Sequence, residues 1–187
     1  MGYKMNVRNC KFAPVSTNTK SDYSIGTAVN LPALRTVDIT FMLASGELYG
    51  DGALVAKRTK LTGATLRIGI DKIPMSARST MLGHGIESGK GIMDVKTTDT
   101  PIEIAMYMEI EHDDGGYEAT WLLVGKAQPI NISGAQSESN INFTTDELTV
   151  DFIRRELDNT VLKLADTDME DFSSANQTAF AAAPDVT

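Results

Sequence analysis

A single cysteine, a single tryptophan and two histidines give this 187-residue chain little from which a covalent framework or a metal-dependent active site is made. Cys10 has no partner for an intramolecular disulfide, so packing alone must hold the fold. Its expected place is a small buried or half-buried position, not that of a nucleophile. His84 sits between glycines and His112 begins a turn, with no third ligand near either in sequence. Neither a zinc site nor a Cys/His pair is therefore expected, and no cofactor is. Aromatic residues make up only 6% of the chain, too few for the exposed ring cluster of a carbohydrate-binding module. No apolar run approaches the length of about 20 residues that a membrane helix needs, and the opening MGYKMNVRNC lacks the apolar core of a signal peptide. A soluble, membrane-free protein is expected.

Basic residues are also in deficit. The net charge of −8 opposes a protein that grips nucleic acid by neutralising phosphates. The deficit is uneven: residues 1–100 hold 13 Lys or Arg against 8 Asp or Glu, while residues 101–187 hold 4 against 17. Halves of net +5 and −13 within one domain favour head-to-tail contact between copies, although an ordinary solvated acidic face would give the same count.

What the chain does have is alternation. In IEIAMYMEIEHDDGGYEATWLLVGK, Ile102, Ile104, Met106, Met108 and Ile110 share one face, and Glu103, Ala105, Tyr107, Glu109 and Glu111 the other. Asp113 to Gly116 supply the turn. The return arm carries Trp121 and is apolar on both sides, which requires cover on both faces. Val37, Ile39, Phe41 and Leu43 alternate with Thr36, Asp38, Thr40 and Met42. Ala64, Leu66, Ile68 and Ile70 share a face, as do Leu148, Val150 and Phe152. Ile92–Thr98, Ile130–Ser133, Ile141–Thr144 and Val161–Ala165 are shorter expected strands. IPMSARSTMLG, residues 73–83, has proline in its first turn and Gly83 past its end, as a short helix does.

The fold class expected is mainly β: a sandwich or open barrel of two packed antiparallel sheets with one short flanking helix. Residues 1–33 are expected to form an N-terminal arm or edge hairpin, residues 34–172 the sandwich, and residues 173–187 a flexible tail or docking arm. Residues 44–60, ASGELYGDGALVAKRTK, have three glycines, mixed charge and the apolar residues Leu48, Tyr49, Leu54 and Val55. They are expected to form a long loop ordered by a partner.

Signatures of chemistry fail on inspection. HGIESGKG has the Gly-Lys pair of a phosphate loop but lacks its first glycine and its hydroxyl. Asp166, Asp168, Glu170 and Asp171 begin like a calcium loop, but its sixth-position glycine and closing glutamate are missing, so a solvated acidic end is expected. Nothing assembles a nucleophile, a base and an oxyanion donor, and an enzyme is not expected.

The order of these pieces carries a resemblance. A strand, the glycine-broken GELYGDGALV, the strand LTGATLRIGI, the helix IPMSARSTMLGHG, the hairpin end YEATWLLVGKAQP and then TTDELTVDFIRRELDNTVLKL are similar, over roughly residues 3–172, to the major tail protein (tail tube) family of long-tailed bacteriophages with non-contractile tails. The resemblance implies a structural subunit of the phage tail tube type, made in the host bacterial cytoplasm and carried in the virion. Six copies would form a ring, and stacked rings would form a hollow tube that conducts viral DNA without binding it specifically. Its partners would be other copies of itself, the tape measure, the terminator and the tail tip. The same resemblance makes Leu48, Tyr49, Leu54 and Val55 candidates for ring-to-ring contact. A conduit must not hold its cargo, so an acidic lumen suits it, and Glu103, Glu109 and Glu111 are the candidates for that lining. A tail terminator, the tube of a secretion or tailocin machine, and a monomeric ligand-binding β-sandwich are the alternatives.

Overall fold

Period-two stretches become strands, and register decides which of their faces meet. The computed structural model describes residues 2–51, 53–134 and 145–185. In chain order the elements are β1 (Lys4–Asn18), β2 (Tyr23–Ile25), β3 (Val29–Asn30), β4 (Leu34–Gly50), β5 (Ala53–Ile70), α1 (Met75–Leu82), β6 (Gly85–Glu87), β7 (Ile92–Asp94), β8 (Glu103–His112), β9 (Tyr117–Ala127), β10 (Asp146–Ile153), β11 (Leu162–Asp166) and α2 (Ser174–Ala182). All strand pairs are antiparallel. The main sheet runs β2-β1-β8-β9-β10-β5-β4, with β3 on β1 and β11 on β9, and β6 and β7 make a small separate pair. The edge of β9 opposite β8 is shared: β11 takes Glu118 to Leu122 and β10 takes Val124 to Ala127.

The main sheet curls over on itself. Cys10 and Phe12 of β1, near one end of the strand order, share a core with Leu66, Ile68 and Ile70 of β5, near the other end. Met106, Met108, Leu122, Leu148, Val150 and Phe152 fill the space between them, and Ala77, Met81 and Leu82 of α1 close it. This is a β-sandwich with a flanking helix. Gly83 stops α1 in a left-handed turn at φ 73°, and a side chain there would also meet the Thr100 carbonyl. At Gly125 the constraint is space: an added Cβ would lie 2.5 Å from the Phe152 ring.

The other side of β8 and β9 has its own apolar cluster: Tyr23, Ala105, Tyr107, Ala119, Trp121, Leu123, Val124 and Phe180. Val124 joins the Trp121 side because a bulge opposite Ile104 to Met106 inserts an extra residue and flips the alternation. Helix α2 covers this cluster. Its start is capped by Ser173, whose hydroxyl accepts from the Asn176 N–H. Trp121 Nε1 donates to the Phe180 carbonyl at 2.5 Å, Lys11 Nζ donates to the Ala181 carbonyl, and the Tyr107 ring lies 6.4 Å from that of Phe180 in an edge-on arrangement.

Four expectations change. The first 33 residues are not an arm, since β1 is an internal strand paired with β8 from Lys4↔His112 to Pro14↔Ile104; the edge-hairpin part fits β2, which folds back onto it. Residues 44–60 are not a loop, because β4 and β5 stay paired, across bulges, to Gly50↔Ala53. Ile130–Ser133 forms no strand, while Ile141–Thr144 lies outside the described residues. The last segment, expected as a flexible tail or docking arm, is not a flexible tail: it supplies a second helix, docked on the chain's own β8–β9 cluster.

Replacing Phe180 by alanine removes the plug over Trp121. It is expected to cost about 3 kcal/mol, which for a domain of this size lowers the melting temperature by about 6–12 °C in thermal denaturation.

Candidate assembly surfaces

Strands β4 and β5 run on well past the core that justifies them. Beyond Phe41 and Gly63 they leave the sandwich as a two-stranded ribbon, and every residue from Leu43 to Thr62 whose burial is described is exposed. At about 3.3 Å per residue the ribbon projects roughly 25 Å. A two-stranded ribbon on its own is marginal in water, and this one carries apolar side chains. Leu43, Leu48, Tyr49, Leu54, Val55 and Leu61 are between 43% and 64% exposed. Near its tip a bulge leaves Val55 unpaired between Leu48↔Ala56 and Tyr49↔Leu54. Glu47 accepts from Lys57 Nζ at 2.7 Å and from the Tyr49 hydroxyl at 2.9 Å, and both bonds hold its carboxyl below the usual range. The four proposed contact residues Leu48, Tyr49, Leu54 and Val55 thus gather at one exposed tip, on a stiffer support than a loop.

A second group of exposed apolar residues lies beside α1. Met75, Val95 and Ile132 flank grooves that share Met93 and Arg78. Contiguous apolar surface of this kind marks contact sites, and stacking one copy on the next requires two different patches.

The three glutamates do not form an open acidic wall. Glu109 is buried, 5% exposed, and accepts from Tyr107 Oη at 2.7 Å, Arg8 Nε at 2.8 Å and Asn9 Nδ2 at 2.7 Å. Asn9 reaches it from a left-handed backbone, φ 53°, at a bulge in β1, a conformation that asparagine tolerates. Glu111 pairs with Arg8 and Asn6. Burial, and then the Glu109 carboxylate, push the Tyr107 hydroxyl pKa up. Burial works against the charge on Arg8, but its bonds to Glu109 and attraction to Glu109 and Glu111 outweigh this and raise its pKa. Glu103 is half-buried opposite Lys126. This face is neutralised and carries α2, so Glu109 and Glu111 act as internal ion-pair partners.

The open acidic face lies elsewhere, on the outside of β4, β5 and β10. Register aligns Thr36, Gly69 and Glu147, then Asp38, Arg67 and Thr149, then Thr40, Thr65 and Asp151. This grid has three carboxylates, one cation and no apolar side chain. Thr65 Oγ1 and Gln128 Nε2 donate to Asp151 at 2.8 and 2.6 Å. The alternate residues Val37, Ile39, Leu66, Ile68, Leu148 and Val150 pack inward. Sequence alone shows each strand's alternation, but only the register shows that three polar faces become one wall.

Cys10 and His84 are each constrained. Burial pushes the Cys10 thiol up to about 12, and the His84 ring is tied to Asp99 at 2.7 Å. Among the described residues no helix is long and apolar enough to cross a membrane. The chain matches no protein-family model and no curated protein sequence.

One ion cluster clamps the chain end. Arg155, its side chain 3% exposed, donates to Asp158 at 2.8 and 2.6 Å and to Asp185 at 2.7 and 3.2 Å, beneath its stack on Tyr23. The bonds from Arg155 hold the Asp158 carboxyl well below its usual value. Burial alone would raise Asp185, but bonds from Arg155 and Lys163 outweigh it and hold that carboxyl low as well. Carboxyls depressed in the fold stabilise it above their unfolded pKa of about 3.9, and that support is lost as pH falls through the folded values. Acidification is therefore expected to weaken the clamp progressively from about pH 5 and to release it only below about pH 2, seen as a change in Trp121 fluorescence. Arg155→Met is expected to be less stable at neutral pH and to show a flatter acid limb.

Proposed function

We propose that this chain is a structural subunit of a phage tail tube, assembling as six-membered rings that stack into a hollow conduit for viral DNA. The observation that carries it is the β4–β5 ribbon, roughly 25 Å of paired strand with apolar residues and no core of its own. A monomer gains nothing from such an element. A polymer gains an anchor, because the ribbon of one copy can bury Leu48, Tyr49, Leu54 and Val55 against the next. The groove at Met75, Val95 and Ile132 is the receiving surface we assign to it.

The polar wall on β4, β5 and β10 supports the same proposal and replaces the glutamates of β8 as the lumen lining. It belongs to the strands that form the ribbon, so ring stacking and wall placement are mechanically linked. Six copies of a face with Asp38, Glu147 and Asp151 against Arg67 would repel a phosphate backbone and let it slide. In this role the protein performs no catalysis, belongs in the virion, and meets the tape measure, terminator and tail tip at the ends or within the bore.

Leu48→Ser combined with Tyr49→Ser is expected to abolish higher assemblies in sedimentation velocity while leaving the monomer's melting temperature within a few degrees. Unchanged assembly would discard the ribbon as the stacking contact.

A further inference from the structure

The turn between β8 and β9 meets the segment that leaves β11, and a buried histidine lies at the junction. The His112 side chain is 4% exposed and its Nδ1 has no hydrogen-bond partner. Folds rarely leave a buried ring nitrogen unmet. The other nitrogen, Nε2, faces Glu118 Oε1 at 3.7 Å, and Glu118 is itself held by Lys4 Nζ at 2.6 Å. At 3.7 Å this approach is longer than a hydrogen bond; closing it by a few tenths of an ångström would give the carboxylate–imidazole pair that orients a ring whose other nitrogen binds a metal.

Nδ1 lies beside Gly116, the residue next to the turn at 166–168. A Cβ built on Gly116 would lie 3.6 Å from it and 2.6 Å from Thr167 Oγ1, so only a glycine separates ring and turn. His112, Asp166 and Asp168 bring one nitrogen and two carboxylate oxygens within 4.8 Å of one another. The turn is fixed by Thr167 Oγ1, which accepts from the Tyr117 N–H at 2.8 Å, and by the Asp168 N–H, which donates to Asp166 at 2.9 Å.

We propose that His112, Asp166 and Asp168 form a binding site for a divalent transition-metal ion, zinc by preference, completed by solvent. One imidazole with two carboxylates suits zinc, whereas calcium and magnesium take oxygen ligands. With bonds of about 2.0–2.2 Å, ligands in a tetrahedron stand about 3.4 Å apart. The three groups must therefore close by as much as about an ångström and a half, so binding has to draw in the turn at Asp166 and Asp168 and displace the contact that Asp168 now makes. The ligands grade from buried His112 to exposed Asp168, leaving an entry path. Bound metal would staple the β8–β9 turn to the segment leading into α2, and it would stabilise the folded chain by linkage. The site does not depend on the tube assignment.

The test is calorimetric titration of zinc chloride into the full chain, prepared without a histidine tag and stripped with chelator, alongside melting curves with zinc, calcium or magnesium. One equivalent of zinc is expected to bind and raise the melting temperature, with calcium and magnesium leaving it unchanged. Asp168→Asn and His112→Asn are each expected to weaken zinc binding at least about tenfold, with folding confirmed by Trp121 fluorescence. If His112→Asn fails to fold, the exposed Asp168→Asn decides alone. Absence of saturable zinc binding, or binding undiminished by a folded variant, overturns the site.

Discussion

Strand β9 is buried on both faces, and the layers of the protein follow from satisfying it. On one side Leu122 faces the sandwich core built from β1, β5, β8 and β10. On the other, Trp121 is covered by α2 through Phe180, and Leu123 shares that cluster with Tyr23 of β2. The tryptophan N–H bonds to a carbonyl of that helix and the Tyr107 ring packs 5.2 Å from the indole, so polar and apolar needs are met by the same contact. The price is paid at the chain end, where a short polar helix must stay docked. Arg155, Asp158, Asp185 and Lys163 hold it there.

A second constraint comes from the mismatch between hydrogen bonding and burial in β4 and β5. Their ladder continues without a core beneath it, so the backbone is satisfied while the side chains are not. A two-stranded ribbon without a core is marginal by itself. The same strands present a threonine- and carboxylate-rich outer wall where they cross the body. One pair of strands thus carries an exposed apolar tip and a polar wall, the two surfaces that the proposed conduit would use.

Much of this was legible in the chain. The alternation of Ile104 to Ile110 and of Leu66 to Ile70, the turn at Asp113 to Gly116 and the Gly83 stop all appear where local pattern puts them, because each is set by neighbours in sequence. Residues 44–60 misled because glycines and mixed charge carry loop composition, while cross-strand pairing held them extended. Residues 174–182 misled because SANQTAFAA is weakly amphipathic; Ser173 as a cap and the lone Phe180 were the available signals. Glu109 looked solvated because the cations that bury it, Arg8 and Lys11, lie about 100 residues away. The junction of His112 with Asp166 and Asp168 is likewise a product of register, through Asp166↔Glu118 and the β8–β9 turn.

Whether the molecule polymerises around a polar channel, as proposed, is read out by electron microscopy of the concentrated protein. Stacked rings or tubes are expected, with Asp38, Glu147 and Asp151 on the inner wall of the reconstruction and the β4–β5 ribbon across the junction between rings. Particles that stay monomeric after concentration and addition of tail-tip components, or tubes with that wall turned outward, would contradict it.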